Sequence, residues 1–407
     1  MRILTVAGWI SPDLEGGSFR VVFELARGLV ARGHEVNVLT QALPGHEQPQ
    51  QVIDGVQVHR YRTWARSGVS FYVSSVAAVR RLMGRLVAAQ PFDALHLHHP
   101  VSALGATLCP SSRDMPTLHT FYVPYFLEHA FNRNAPPGRP GPVGRALRCI
   151  DHHNLRRSDA IVVLSQFTAG QVAEHFPDCS PRVEIIPAGV DLQVFRPTLS
   201  RAEAPRQLNL PTDAPILLSV RRLEPRMGLE NLVEAMPLLR NHRPNAKLVI
   251  VGRGSLQHRL TDLVGRLNLA DAVTMAGFVP DAMLPVYYQA ADCFVVPTIA
   301  LEGFGMVTAE ALACGTPVLG TPVGATPELL RPLDEHLVMR STEPADIAQG
   351  IAQFLERPDL AEWRERCRRY AEQRFDWRHV VERYEAVFER IIAARHESGR
   401  ARLLPRP

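Results

Sequence analysis

Short apolar runs alternate with longer stretches in which apolar residues recur every three or four positions, and this rhythm persists to about residue 375. Apolar or β-branched runs bounded by Gly, Pro, Asp or Asn read as buried strands, and the periodic stretches between them as helices lying on a sheet. Strands are expected near 2–7, 35–40, 56–60, 93–98, 116–120, 160–164 and 183–186, and again near 215–220, 247–251, 272–277, 293–296, 317–320 and 337–340. Strand–helix–strand alternation predicts parallel sheets, so each half reads as an α/β unit with its own Rossmann-like sheet. The run Ile185–Asp191 and the polar segment 197–214 mark the join, giving an N-terminal domain over 1–190 and a C-terminal one over 191–375. A last helix is expected over 376–395, with Trp377, Val380, Val381, Tyr384, Val387, Phe388 and Ile391 on one face. Residues 396–407 read as a frayed tail, and the proline-rich stretch 125–148 as a mobile surface element.

A chain of 407 residues is too long for one ordinary core, which agrees with two domains. With 46% hydrophobic and 21% charged residues it belongs with globular proteins rather than disordered ones. No run approaches the roughly 20 apolar residues of a membrane span, and the start, Met1–Val6, reads as a first strand rather than a signal peptide. The six cysteines are scattered with no Cys-x-x-Cys pair, so a disulfide or metal framework is not expected and a reducing cytoplasm is. The net charge of +4 falls within the first 190 residues, mainly at Arg60, Arg62, Arg66, Arg80, Arg81 and Arg85 and at Arg133, Arg139, Arg145, Arg148, Arg156 and Arg157. A solvated surface accounts for it. So does a patch that meets an anionic acceptor or the inner membrane face as a peripheral contact. Aromatic interleaving of the kind that binds nucleic acid is missing, so no nucleic-acid partner is expected. Lys247 is the only lysine and opens a strand, which excludes a Walker loop and leaves no good Schiff-base lysine.

The densest chemistry follows the run Cys293–Val296. Glu302 and Glu310 flank Gly303-Phe304-Gly305, and an apolar helix begins at once with Met306. A strand, a glycine turn and a helix start leave backbone N–H groups and the positive helix end pointing at one place, which is an anion site. A carboxylate one turn into that helix, Glu310, can accept two hydrogen bonds from a vicinal diol such as a ribose. Diphosphate, ribose and a second acid for another sugar make the recognition set for a nucleotide sugar. Arg222 and Arg226, between an apparent strand end and the helix after Gly228, suit a diphosphate through bidentate hydrogen bonds. Gly16-Gly17 after the first strand serve a tight turn or a ligand loop equally well. His119 closes another strand on the side where ligands bind in such sheets, although a lone histidine is more often structural. His96, His98, His99, His152 and His153 have no Asp, Glu or Cys at ligand spacing, so strand-end and surface roles are expected and no metal. Gly252-Arg253-Gly254 with Gln257 is a dinucleotide fingerprint lacking its third glycine, which weakens a dehydrogenase. A Gly-x-Ser-x-Gly elbow and an Asp-x-Asp metal motif are both missing.

Over nearly its whole length the chain resembles retaining glycosyltransferases of family 4, of the GT-B fold. The resemblance is carried by Glu302–Glu310, by Arg221–Gly228, and by Gly315-Thr316-Pro317-Val318 with Gly324 and Glu328. It implies two facing Rossmann-like domains, the donor bound mainly to the second, the acceptor to the first, and a terminal helix crossing back to the first. It also implies site roles. Glu310 would hold the donor ribose. Glu302 and the backbone of Phe304, Gly305 and Met306 would meet the transferred sugar and diphosphate. Arg222 would bind the diphosphate, with Gly16 and Gly17 beneath it, and His119 would contact the sugar. Ser165, Gly189 and Gly252 would line the cleft. Two departures stand out: Arg221-Arg222 replaces the usual Gly-Arg, and Met227 stands where lysine is usual, with Arg226 the expected substitute cation. The activity implied is sugar transfer from a nucleoside diphosphate, UDP favoured, to an acceptor hydroxyl with retention, without metal or other cofactor. The acceptor could be a glycan, a lipid or a small metabolite. The alternatives are a nucleotide-sugar epimerase of the same fold and a non-catalytic sugar-nucleotide binder.

Overall fold

The computed structural model describes the backbone of residues 1–403 apart from 15, 66, 133–140 and 201, and the side chains of all of these but 361 and 398–403. The described chain forms two compact units. The first takes residues 1–127, 139–187 and 377 onward, and the second residues 128–138 and 188–376.

Eight strands build the first sheet: β1 (Arg2–Val6), β2 (Glu35–Gln41), β3 (Gln50–Ile53), β4 (Val56–Tyr61), β5 (Ala94–Leu97), β6 (Thr117–Phe121), β7 (Ala160–Val163) and β8 (Val183–Ile185). Their order is β3-β4-β2-β1-β5-β6-β7-β8, all parallel except β3 against β4. The seven parallel strands match the expected runs, because strands covered on both faces are rich in apolar residues. β3 was not expected. It is mostly exposed and lacks alternation, and its hairpin turns on Asp54 (φ 48°) and Gly55 (φ 82°). Asp-Gly with both residues left-handed is the turn that suits a two-residue hairpin, so the signal was in the sequence. One face of the sheet packs on the helix Gly17–Ala31 through Val22, Leu25 and Leu29, and on the terminal helix through Val380, Tyr384, Val387 and Phe388. The other packs on helices Gly68–Ala89 and Pro100–Thr107 through Val79, Met83 and Ala103.

The second sheet holds β9 (Ile216–Val220), β10 (Lys247–Val251), β11 (Val273–Gly277), β12 (Cys293–Val296) and β13 (Val318–Gly320). Its order, β11-β10-β9-β12-β13, is wholly parallel. The direction of winding reverses between β9 and β12, and the loops leaving those two strands flank the switch point where open α/β sheets bind ligands. The expected strand at 337–340 is a correction. Val338 makes only an isolated bridge to Gly320, after a short 3-10 turn at Glu335–Leu337 that Asp334 caps. The 125–148 stretch also differs from expectation. Helices occupy Tyr125–Phe131 and Pro142–Arg157, with Phe126 and Leu147 buried, while 133–140 lie outside the described residues. The final helix runs from Trp377 to Leu403, past the end expected at 395, because Arg395 is anchored on the carbonyls of Arg113 and Asp114 and no proline intervenes before Pro405.

Candidate functional site

Four loops meet at the carboxyl ends of the second sheet. Residues 221–228 follow β9, 252–256 follow β10, 297–305 follow β12 and 321–325 follow β13. Two glycines allow the approach. A Cβ at Gly228 (φ 69°) would lie 1.8 Å from the Pro297 carbonyl oxygen, and one at Gly252 (φ 140°) 1.9 Å from that of Arg221. The Gly252-Arg253-Gly254 element thus serves close backbone contact between two strand-end loops, fastened by Leu223 N–H to the Arg253 carbonyl at 2.9 Å.

Glu302 lies at the centre of this corner, buried. Its Oε2 accepts from Arg221 Nη2 and, at 3.1 Å, from Thr298 Oγ1. Burial pushes the Glu302 carboxyl up. The guanidinium of Arg221, then that of Arg226, outweigh it and hold the group below the ordinary glutamate value. Gly305 (φ 87°) starts the helix Met306–Ala313, which no side chain caps, and a Cβ on it would lie 3.7 Å from the Glu302 carboxyl carbon. A carboxylate, a guanidinium and an open helix start therefore converge. Phe304 turns its ring into the core against Phe375, centroids 5.8 Å apart, and Met306 is buried. Glu310 is buried in the same helix and accepts from the Tyr288 hydroxyl at 2.8 Å. Leu301 takes a left-handed φ of 54°, an unfavourable conformation for a branched residue. Its carbonyl accepts from Arg226 Nη1 at 2.9 Å.

The expected diphosphate arginines are placed differently from one another. Arg222 is exposed and donates to Glu128 at 3.1 Å. Arg226 is buried and donates to the same carboxylate oxygen at 3.0 Å. Burial raises Glu128, but Arg226 and Arg222 together hold it below its ordinary value. The cation that touches Met227 is Arg221, its Nη2 3.2 Å from the thioether sulfur.

The remaining expected residues do not all belong to this corner. Gly16 precedes and Gly17 opens the first-unit helix, which also has no side-chain cap. His119 is buried in β6 with Nδ1 unpartnered. Burial lowers it to about 4, against a hydrogen bond to the backbone at His98, so it is neutral near pH 7. Ser165 caps the helix Gln166–His175, accepting from Thr168 N–H at 3.1 Å. Gly189 precedes Val190, which bridges to Asp376. His96 and His98 stand at the end of β5, as expected of strand-end residues, but both are buried in a polar chain through the core and neither is a surface residue. His98 binds Tyr122 at 2.8 Å and His96 at 3.3 Å, and His96 binds Thr120 at 2.8 Å, which meets Tyr384 at 3.1 Å. His152 likewise does find partners: its ligand atom, a carboxylate oxygen of Asp178 and the thiol of Cys179 lie within 4.8 Å of one another. Arg156 stands 3.5 Å from Asp178, and burial raises the Cys179 thiol, so a cation is poorly served there. Sequence reasoning missed Tyr288, Glu128 and the placement of Arg221, contacts between residues far apart in the chain, and Thr298, which reaches Glu302 from four positions away.

Known proteins bear on this geometry. The sequence model of Glycosyltransferase Family 4 matches residues 15–194, and that of Glycosyl transferases group 1 matches 200–374. A D-inositol 3-phosphate glycosyltransferase of Kineococcus radiotolerans is 30% identical over 76% of this chain and 73% of its own. Another, of Acidothermus cellulolyticus, is 29% identical over 96% and 89%. Among solved structures, sucrose-phosphate synthase from Thermosynechococcus elongatus superposes with a TM-score of 0.83 at 24% identity, covering 97% of this chain and 99% of that one. Anabaena HepE in complex with UDP and glucose gives 0.74 at 19% identity, covering 96% and 99%. With a glutamate pair around a glycine turn at the switch point of its second sheet, the chain belongs to glycosyltransferase family 4 and is a glycosyltransferase of the GT-B fold.

Proposed function

We propose that the protein transfers a sugar from a nucleoside diphosphate, UDP favoured, to an acceptor hydroxyl with retention of anomeric configuration and without a metal. The observation that carries this reading is the corner itself: Glu302 beside the uncapped helix start at Gly305, with Glu310 one turn further on. Departure of the nucleoside diphosphate builds negative charge. Arg221, Arg222, Arg226 and the start of the helix Met306–Ala313 supply preorganised positive charge to meet it. Glu302 and the backbone of Phe304, Gly305 and Met306 orient the transferred sugar, and Glu310 accepts from the ribose. Attack on the face the diphosphate leaves, aided by the departing phosphate, gives retention. The names of the relatives that act on D-inositol 3-phosphate, and HepE with UDP and glucose, favour a UDP-sugar donor and an anionic or polyol acceptor.

Thermal unfolding with UDP, GDP, ADP and their sugars tests the donor, since a ligand at 100 times its Kd adds about 2.7 kcal/mol to stability. Product analysis completes the test. Transfer appears only with an acceptor and keeps the anomeric configuration, whereas a product formed from donor alone at a substantial rate would point to an epimerase.

A peripheral contact with an anionic membrane is the second part of the proposal. Helices Gly68–Ala89, Pro100–Thr107 and Pro142–Arg157 line a groove of about 970 Å³. Val69, Val73, Leu108 and Val143 are exposed in it, with Arg80, Arg81 and Arg85 at its rim. The helix Gly68–Ala89 has no acidic residue, and no helix among the described residues is long and apolar enough to cross a membrane. Apolar area framed by cations suits an anionic lipid surface. Cosedimentation with phosphatidylglycerol vesicles, lost when Arg80, Arg81 and Arg85 become Gln and absent with phosphatidylcholine alone, is the expected result.

A further inference from the structure

We infer that Arg221 is the buried cation that grips the donor diphosphate, in the place Met227 leaves without charge; this rests on the nucleotide-sugar reading above. Arg221 is 8% exposed and sits at the switch point between the loops of β9 and β12. One terminal nitrogen, Nη2, holds Glu302 and touches the Met227 sulfur. The other, Nη1, is buried with no hydrogen-bond partner. A buried guanidinium N–H left open is costly and rare in a native protein, and it calls for a partner such as a bound anion or water. The helix start at Gly305, beside the same Glu302 carboxylate, gives a second and independent attraction for an anion.

Arg226 is less suited to the task. Its Nη1 and Nη2 hold the Leu301 carbonyl and Glu128, so only its inner Nε is open. It fixes the loop that carries Glu302, whereas Arg221 keeps a terminal donor for a phosphate oxygen. The steric argument extends to Met227. The sulfur of Met227 occupies the position that Cδ of a lysine would take, and a lysine ammonium lies two bonds further on. With the Arg221 guanidinium gone, that ammonium falls into the space beside Glu302. The cation is therefore delivered from position 221 instead of 227, and the two sites are exchangeable as a pair.

The exchange is the experiment. Four proteins are compared: wild type, Arg221→Gly, Arg221→Lys, and the double variant Arg221→Gly with Met227→Lys. Binding of UDP and of uridine is measured by calorimetry, or of GDP or ADP with the matching nucleoside if one of these binds wild type more tightly. Arg221→Gly is expected to weaken the diphosphate about 10- to 100-fold, the worth of a charged hydrogen bond, and to leave the nucleoside unchanged. Arg221→Lys falls between, and the double variant regains most of the loss. Equal weakening of nucleoside and diphosphate, or wild-type affinity in Arg221→Gly, overturns the assignment and leaves the transferase reading intact. If Arg221→Gly fails to fold because Glu302 is stranded, the double variant decides: affinity within about threefold of wild type supports the exchange, and a loss of tenfold or more overturns it. Wild type that binds none of the three diphosphates overturns the nucleotide-sugar reading itself, and this inference with it.

Discussion

Single side chains in the corner differ in what they can be asked to do. Glu310 shares one carboxylate oxygen with Tyr288, so its geometry is set before any ligand arrives. Glu310→Gln keeps size and one acceptor while removing charge. We expect UDP affinity to fall about tenfold with little change in melting temperature, and Tyr288→Phe to have a smaller effect, both measured by calorimetry. Unchanged affinity in Glu310→Gln would remove it from the ribose role. The buried histidines set a different test. His119 has a folded value of about 4 against an ordinary 6.5, and His96 is lower still, at about 3. Between pH 6.5 and 4 the unfolded chain binds a proton at His119 that the folded chain does not, so stability rises with pH across that window. The stabilisation is complete above 6.5, is lost as pH falls to 4, and falls no further below it. The loss is roughly 3 kcal/mol for His119 alone. Urea unfolding at pH 7 and 4.5 checks this, and His119→Gln should reduce the difference by about that amount, leaving the share of His96 and His98.

At the scale of elements, the corner depends on loops that touch because particular residues have no side chain. Gly228 both adopts a left-handed φ and stands against the Pro297 carbonyl, so Gly228→Ala must move one loop away from the other. We expect destabilisation of about 2–4 kcal/mol in urea unfolding, with UDP affinity falling in parallel because Arg226 and Leu301 lie in the two loops that part. Much of this architecture was legible in the chain. β1, β2 and β4–β13 fall on the expected runs, since strands covered on both faces are mostly apolar. The pair Glu302 and Glu310 stood out because a glycine turn and an apolar helix surround it. What could not be read were contacts made by folding. Arg221 meets Glu302 across 81 positions, and Tyr288 meets Glu310 across 22. Arg221 also sat next to Arg222, which looked better placed from the strand end alone. The strand β3 escaped because an exposed edge strand has no apolar alternation to display. The helices within 125–157 were not legible because Pro136, Pro137, Pro140 and Pro142 interrupt the apolar periodicity between Phe126 and Leu147.

For the whole molecule, the terminal helix binds sequence order to stability. The chain leaves the second unit at Asp376, yet residues from Trp377 onward belong to the first. There Val380, Val381, Tyr384, Val387, Phe388 and Ile391 are all buried, most of them against the helix Gly17–Ala31 and the strands beneath it. Gly28 shows how close the packing is, since a Cβ there would lie 2.4 Å from a methyl of Val381. Polar contacts reinforce it: His34 and Arg32 with Glu385, and Thr120 with the Tyr384 hydroxyl at 3.1 Å. Burying a large apolar side chain is worth about 1.5–3 kcal/mol, so six of them together match the 5–15 kcal/mol by which a typical domain is stable. A chain ending at Asp376 should therefore lose the first unit, visible as rapid proteolysis of residues 1–187 and loss of their near-ultraviolet dichroism. A chain ending at His396 keeps every one of these apolar contacts and the Arg395 anchor, and should melt within a few degrees of the full chain. Equal stability of the two truncations would mean that the first unit's core does not depend on its last helix.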